Sequence, residues 1–414
     1  MDKMIIQIAK KIEQNNGSLY LVGGAVRDEL LGIKNKDEDY CVVGLTHDKF
    51  IELFPNAIPR GKSFEVFDIE GKEFALARFE KKTGKGHKEF EISVNENITI
   101  YDDLKRRDLT INSIAKNVLT GEIIDPFNGK KDIEDRIIRA NSECFAEDPL
   151  RVYRAARFAC KYEFRVEQST IELMKKLRNE LYELSAERVF DEMRKALQCN
   201  KPSIFFNVLR DADVLDVHFI EIYNLIGALQ PEKYHPEGDA YNHTMLAVDM
   251  CAKITKNEII RFSTLVHDLG KGTTPKELYP HHYNHDVNGV PEVVKFAKRL
   301  KMPNEWKDCG KIAAKEHMNG GIFYKMTPAK QVSFIERIYK TKLGLKGLEI
   351  VVESDRNCRG NAKDKINFAE LGNKIITSVN GNIVKSEYGI EEGIKLKQKL
   401  HQLRVEEMKK ITKL

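Results

Sequence analysis

Two aspartates, Asp37 and Asp39, stand directly before the apolar run Tyr40-Cys41-Val42-Val43, downstream of the turn sequence Gly23-Gly24-Ala25-Val26-Arg27. Residues i and i+2 of a strand share a face, so the two carboxylates are expected to point the same way. Such a pair holds divalent ions, here two Mg2+, between a triphosphate and an attacking hydroxyl. One ion lowers the hydroxyl pKa and the other stabilises the departing pyrophosphate. The glycine pair lets main chain come close to phosphate oxygens. A helix from Ala25 turns its free N–H groups to the same place, and Arg27 adds a fork of donors. Singly, each part is ordinary: Gly-Gly reads as a tight strand-to-helix turn, and Lys36-Asp37-Glu38-Asp39 as a solvated loop. Their conjunction implies nucleotidyl transfer, with Asp37 and Asp39 catalytic and a third carboxylate open between Asp68 and Glu80.

Arg106-Arg107-Asp108 is expected inside a helix, where Arg107 faces a nucleotide phosphate or sugar; the plainer reading is a charged turn with local ion pairs. Glu147-Asp148-Pro149-Leu150-Arg151, followed by Arg154 and Arg157, opens another helix, with Asp148 at N-cap and Pro149 at N1. Arginines three apart form a slanted stripe, and such stripes are usually solvated. The chemical alternative is base reading. Cytosine and adenine both show an amino donor beside a ring-nitrogen acceptor, which an Asp–Arg couple matches. Uracil and guanine reverse both bonds, at roughly 1–3 kcal/mol for each buried mispaired group. Asp148 and Arg151 are therefore expected to accept CTP and ATP and to reject UTP and GTP.

Seven of the 11 histidines lie between residues 235 and 317. His243, His267-Asp268 in the run VHDLGKG, and Asp355 resemble the H…HD…D pattern of HD-domain phosphohydrolases. For neighbours such as His267 and Asp268 to face one ion, a helix must bend or end there, and Gly270 follows. Imidazole with carboxylate suits Mn2+, Ni2+, Co2+ or Fe2+, and Mg2+ less well. His282, His285 and His317 are candidates to extend the site to a second metal or to phosphate. His235 and His281 read as ordinary core or surface residues.

The elements that must position these groups are legible in part. Helix 4–14, strand Leu19–Val22, helix Ala25–Leu31 ended by Gly32, and the strand after Asp37 ending at Gly44 come first. A helix capped by Thr46 follows, then a hairpin around Glu70-Gly71-Lys72. Asp102-Asp103 opens a helix expected to run past Ile111 and Ile114. Ile123-Ile124 is a short strand, and mixed α/β structure ends near 140. Beyond it the pattern is helical, with Ser185 starting one helix and Pro231 and Pro236 marking a linker. The expected division is an α/β head over 1–140, a helical neck and body over 141–230, an HD-type unit over 231–362 and a basic helical tail over 363–414. A chain of 414 residues exceeds one ordinary core. Its 7 cysteines include no C-x-x-C pair and read as reduced thiols in cytosol. No segment reads as a membrane span or signal peptide. The net charge of +5 permits a polyanionic partner without demanding one.

The runs LYLVGGAVRDELLG (19–32), KDEDYCVVG (36–44), ALARFEKKTGKG (75–86), DDLKRRDLTINSIA (102–115), GEIIDPFNG (121–129) and EDPLRVYRAARFA (147–159) resemble the bacterial CCA-adding enzymes, the class II tRNA nucleotidyltransferases. The wider family includes bacterial poly(A) polymerases. The resemblance implies a multidomain protein: a polymerase-β-like α/β head followed by an all-α neck, body and tail that hold tRNA. It places the metal carboxylates at Asp37 and Asp39. Its nucleotide contacts fall at Gly24, Arg27, Arg107, Arg154 and Arg157, and its base-reading couple at Asp148 and Arg151. The fused HD region is similar to that of long-form CCA enzymes, which links it to phosphatase, 2′-nucleotidase and 2′,3′-cyclic phosphodiesterase chemistry. The competing readings are a poly(A) polymerase or a CC- or A-only enzyme, and an HD phosphohydrolase whose head only binds RNA. A non-enzymatic RNA chaperone is a third.

Overall fold

A computed structural model of the chain describes residues 2–34, 38–60, 66–82, 90–93, 96–358, 366–390 and 393–412, with backbone alone at 79–82, 90–93 and 412. Asp37 and the side chain of Glu80 lie outside the described residues. The chain forms two compact units. The first comprises Met1–Leu184 with Asp211–Val214, and the second Ser185–Arg210 with Leu215–Leu414.

The first unit is built on strands β1 (Ser18–Val22), β2 (Asp39–Val43), β3 (Ile58–Arg60), β4 (Val66–Ile69), β5 (Lys72–Leu76), β6 (Phe79–Lys82), β7 (Phe90–Ser93), β8 (Ala115–Asn117) and β9 (Ile123–Ile124). Seven of them form one mixed sheet in the order β3-β4-β5-β2-β1-β8-β9, and β6 pairs with β7 separately. The centre of the sheet is apolar because β1 and β2 contribute Leu19, Leu21, Tyr40 and Val42, all buried. Glu70 and Gly71, both at positive φ, make the tight β4–β5 turn. Thr46 caps the His47–Leu53 helix through the Lys49 N–H.

The helix expected from Asp102 past Ile114 is not there. A capping box between Thr99 and Asp102 starts a helix at Ile100 that ends at Lys105. A single 3-10 turn, Thr110–Asn112, then leads into β8. Side chains compete with the helical backbone at this point. Asp108 takes the Leu109 N–H at 2.9 Å and the Asn112 amide at 2.8 Å. Main-chain bonds from Thr110 N to Arg139 O and from Asn141 N to Asp108 O hold the non-helical path. Arg106 and Arg107 consequently sit at the helix end, not inside it.

The second unit is helical. Its HD portion uses helices Ala240–Ile254, Glu258–Val266, His285–Arg299, Asn304–Gly321 and Gly344–Asn357. The Arg261 guanidinium, fully buried, donates to the carbonyls of Leu197, Cys199, Ala252 and Thr255. It thereby satisfies carbonyls that helix ends leave bare. The basic terminal helix Gly393–Thr412 is docked, not loose: Met408 is buried in one core with Phe334, Ile338 and Phe368. Among the described residues no helix is long and apolar enough to cross a membrane.

Candidate active sites

Strand register decides the first site. Val22 of β1 pairs with Asp39 of β2, and Gly23-Gly24 follow Val22 directly. The exposed Asp39 carboxylate therefore stands beside the diglycine turn. Glu38 points away: its carboxylate binds Lys72 at 2.5 Å and accepts from the Tyr40 hydroxyl. Strand alternation thus puts Asp39 on the face opposite Glu38. Asp68 does not share this position. It lies on β4, separated from β2 by β5, pairs in register with Glu73, and binds Arg60 at 3.0 Å.

The turn is shaped to admit guanidinium groups. Gly23 has φ +64°, and a Cβ there would stand 2.6 Å from Arg107 Nη1. A Cβ on Gly24 would stand 3.3 Å from Arg27 Nη2. Arg107 is held by Asp103 at 3.0 Å and stays partly open to solvent. Arg27 is buried: it binds Asp28 at 2.8 Å and Asn112, and lies over the rings of Phe158 and Tyr162. The helix after the turn spans only Gly24–Leu30, so positive potential here comes chiefly from arginines.

The Arg151–Tyr162 helix supplies the rest. Its residues 154, 158 and 162 share one face. Arg154 binds the buried Asp108 at 2.7 Å, and Arg157 lies 4.1 Å over the Phe158 ring. Arg151 donates to the carbonyls of Cys144 at 2.6 Å and Arg106 at 2.8 Å. The helix begins at Arg151 rather than next to Asp148, and the Asp148 carboxylate accepts the Leu150 N–H at 3.0 Å. The structure therefore brings Arg27, Arg154 and Arg157 to the Phe158 ring, with Gly24 against Arg27 and Arg107 against Gly23, and Asp148 and Arg151 at the head of the Arg151–Tyr162 helix. Sequence reasoning passed over Asp103, Asp108, Asn112, Phe158 and Tyr162. The i, i+4 spacings 108/112 and 154/158/162 were the available signal.

Burial alone would raise the carboxyl pKa values of Asp103 and Asp108. Arg107 and Arg106 at the first, and Arg154 at the second, instead hold them at about 2. A depressed carboxyl pKa stabilises the fold above the unfolded value of 3.8 and loses that contribution as pH falls towards 2. The contribution is of order 2 kcal/mol for each group. Thermal melts taken between pH 5 and 2 should show a steep fall for the wild type and a shallower one for Asp108→Asn; equal slopes would contradict this role.

The second site is in the helical unit. The helix that carries His267 stops there, since Asp268 leaves helical geometry at φ −108° and ψ 11°, and the two neighbours turn inward together. His243 Nε2 lies 3.0 Å from Asp355 Oδ1 and 3.7 Å from Asp268 Oδ2, and His267 Nε2 lies 3.3 Å from Asp268 Oδ2. His243, His267, Asp268 and Asp355 thus share one centre. His243 Nε2, His267 Nε2 and Asp268 Oδ1 are buried without a hydrogen-bond partner, an arrangement that fits a bound cation. The opposite nitrogens fix the tautomers: His243 Nδ1 is 2.7 Å from Glu237 Oε1, and His267 Nδ1 is 2.7 Å from Thr264 O. Burial alone would raise the Asp268 carboxyl pKa, but His267 and Lys271 hold it well below the usual range.

Two further residues were not anticipated. Glu237 orients His243 and also meets His235 Nδ1 at 3.0 Å. Lys271 Nζ reaches Asp268 Oδ2 at 2.6 Å and Gln230 Oε1 at 2.6 Å. Gln230 and His235 also line an open cleft of about 510 Å³ with Leu229, Pro236, Tyr279 and Pro280. His282 is no ligand here: its nitrogens meet Thr274 Oγ1 and Leu229 O.

Three family patterns match. Residues 19–139 match the poly A polymerase head domain, 163–225 the probable RNA and SrmB-binding site of polymerase A, and 240–339 the HD domain. Over 326 residues the chain is 43% identical to the multifunctional CCA protein of Shewanella denitrificans, covering 77% of this chain and 78% of that one. The fold is similar to the Bacillus stearothermophilus CCA-adding enzyme in complex with CTP, at TM-score 0.62 and 22% identity, covering 97% and 91% of the two chains. It is likewise similar to the Thermotoga maritima CCA-adding enzyme complexed with tRNA, at TM-score 0.64 and 20% identity, covering 99% and 92%. Fold and sites together define a polymerase-type nucleotidyltransferase joined to an HD domain. Within that class, the extent of identity settles the matter: the chain belongs to the multifunctional CCA protein family.

Proposed function

We propose that this enzyme completes the 3′ end of tRNA by adding C, C and A from CTP and ATP. The observation that carries the reading is the Val22–Asp39 register, which sets a carboxylate beside a glycine turn flanked by arginines. In each cycle the terminal hydroxyl of the tRNA attacks the α-phosphorus. A new P–O bond forms, the bond to the β-phosphate's bridging oxygen breaks, and pyrophosphate leaves while the hydroxyl proton passes to solvent. Asp37 and Asp39 would hold Mg2+, which would supply neutralisation of the charge that develops during transfer. Arg107, Arg154 and Arg157 balance phosphate charge, and Arg27 supports the Gly24 turn from beneath. Two of the five Arg151 donors are committed to main-chain carbonyls. That fixes the guanidinium plane and leaves donors for a base edge beside Asp148.

The HD centre adds a phosphohydrolase activity. His243, His267, Asp268 and Asp355 would hold a metal of the Mn2+, Ni2+ or Co2+ kind, which would supply Lewis-acid polarisation of a phosphoester. Glu237 keeps His243 Nε2 free for that ion, and the cleft edged by Gln230 and His235 receives the substrate. Phosphatase, 2′-nucleotidase and 2′,3′-cyclic phosphodiesterase activities all fit this chemistry. The free thiols of all 7 cysteines suit a reducing cytoplasm.

Incubating tRNA that lacks its terminus with Mg2+ and single nucleotides tests the transfer reading. CTP alone should add two residues and stop. ATP alone should add one residue only to tRNA already ending in CC. A long adenylate ladder from ATP alone would instead make the enzyme a poly(A) polymerase.

A further inference from the structure

We propose that Asn112 is a positioning residue of the transfer site: its amide braces Arg27, beside the diglycine turn, against Asp108 and, through it, against Arg154 of the Arg151–Tyr162 helix. The inference rests on the nucleotide-site reading given above and adds to it a residue that acts through two arginines.

Both ends of the amide are used, and each partner fixes its orientation. Arg27 Nη1 donates to Asn112 Oδ1, and Asn112 Nδ2 donates to Asp108 Oδ1 at 2.8 Å. A guanidinium has only donors, and an ionised carboxylate only acceptors. Burial alone would raise the Asp108 carboxyl, yet Arg154 and the Asn112 amide hold its pKa at about 2, so it is ionised at neutral pH. The other Asp108 oxygen accepts from Arg154 Nε at 2.8 Å and lies 2.7 Å from Arg154 Nη2. A chain of charge-assisted bonds thus runs from Arg27 through Asn112 and Asp108 to Arg154. Its middle member must offer an acceptor to a cation on one side and a donor to an anion on the other. A primary amide of this length does both, whereas a carboxylate or an apolar side chain fails on at least one.

The main chain around Asn112 is docked on the same turn. Gly23 N donates to Ile114 O at 3.0 Å, and a Cβ on Gly23 would stand 3.6 Å from Asn112 O. Asn112 is buried, and its two amide bonds go to side chains rather than to the backbone of its own 3-10 turn. A capping side chain would instead bond neighbouring N–H groups. Local support of the turn therefore does not account for the residue type, and the brace does. Arg27 and Arg154 stand on helices far apart in sequence, Gly24–Leu30 and Arg151–Tyr162. Each has several rotatable bonds, whose freedom a bound nucleotide would otherwise have to restrict. Holding both before the triphosphate arrives favours ground state and transition state alike, so the amide acts on KM.

CTP addition by the full-length protein to tRNA lacking its terminus gives the test. KM for CTP, kcat and a melting curve are measured for the wild type, Asn112→Leu, Arg154→Lys and the double variant. Asn112→Leu should raise KM about 10- to 50-fold and leave kcat within about threefold, the size of a lost buried hydrogen bond to a charged group. The rise in KM of the double variant should fall at least about fivefold short of the product of the two single rises, because the amide acts partly through Arg154. A residue that only stabilises the fold lowers the melting temperature and gives independent effects, so a rise equal to that product overturns the proposal. An unchanged KM in Asn112→Leu overturns it too, whatever happens to kcat. Should Asn112→Leu unfold at the assay temperature, Asn112→Asp keeps the shape and the acceptor for Arg27 but turns an acceptor towards Asp108, and it enters the same cycle with the same expectation. A wild type that adds no CTP removes the transfer reading and this inference with it; a wild type that adds CTP, with independent effects in the cycle, removes the inference alone.

Discussion

Asp39→Ala should lower CTP incorporation by at least ~10³-fold, about 4 kcal/mol of transition-state stabilisation, while cyclic phosphate hydrolysis stays at the wild-type rate. The size follows from what the carboxylate does. A triphosphate brings several negative charges to the attacking oxygen, and on the proposed reading arginines would meet them on one flank and Mg2+ held by Asp39 on the other. Arginines that stabilise bound nucleotide and transition state alike would, when lost, mainly raise KM. An ion held at Asp39 would neutralise charge that changes during the reaction, so its loss would lower kcat. Asp39 is exposed at the first residue of β2. Folding should survive, which an unchanged melting curve verifies. A variant retaining full CTP incorporation would return the head to an RNA-binding role and leave the HD centre as the only catalyst.

The opposed facing of Glu38 and Asp39 was readable because strand periodicity is local: it needs only the apolar run that follows. The diglycine turn, the Thr46 cap and the helix start at Ser185 were legible for the same reason. What failed was the stretch from Asp102 to Ile114. Its apolar spacing is helical, yet Asp108 ties its carboxylate to Leu109, Asn112 and Arg154, a partner 46 residues away. A long-range ion pair overrides a local period, and no sequence window contains it. Arg27 shows the same limit from the other side. Its place in the first turn was clear, but its burial under Phe158 and Tyr162 depends on a helix 130 residues downstream. In the HD unit the H…HD…D spacing picked out four side chains across more than 100 residues that the fold brings to one centre. Glu237 and Lys271 carry no such mark: a Glu and a Lys near histidines are common, and only the 2.7 Å and 2.6 Å contacts single them out.

Asp268→Asn should reduce hydrolysis of 2′,3′-cyclic phosphate to background, a loss of at least ~10³-fold, with CCA addition within about twofold of wild type. Asparagine has nearly the same shape, so packing is kept while the charge that His243 and His267 face is gone. The change has a second consequence that must be separated from the first. Lys271, itself buried, has its ammonium 2.6 Å from Asp268 Oδ2. Removing one partner of a buried pair typically costs ~3–5 kcal/mol, because the other charge is stranded. Lost hydrolysis could then reflect a loosened HD unit. Asp268→Asn/Lys271→Met removes the stranded ammonium, so its melting temperature should recover towards wild type while hydrolysis stays at background. Activity returning together with stability in the double variant would show that Asp268 supports the fold and holds no ion. Melting curves, cyclic phosphate hydrolysis and CTP incorporation measured on both variants distinguish these outcomes, since each predicts a different pair of changes in the helical unit and none in the head.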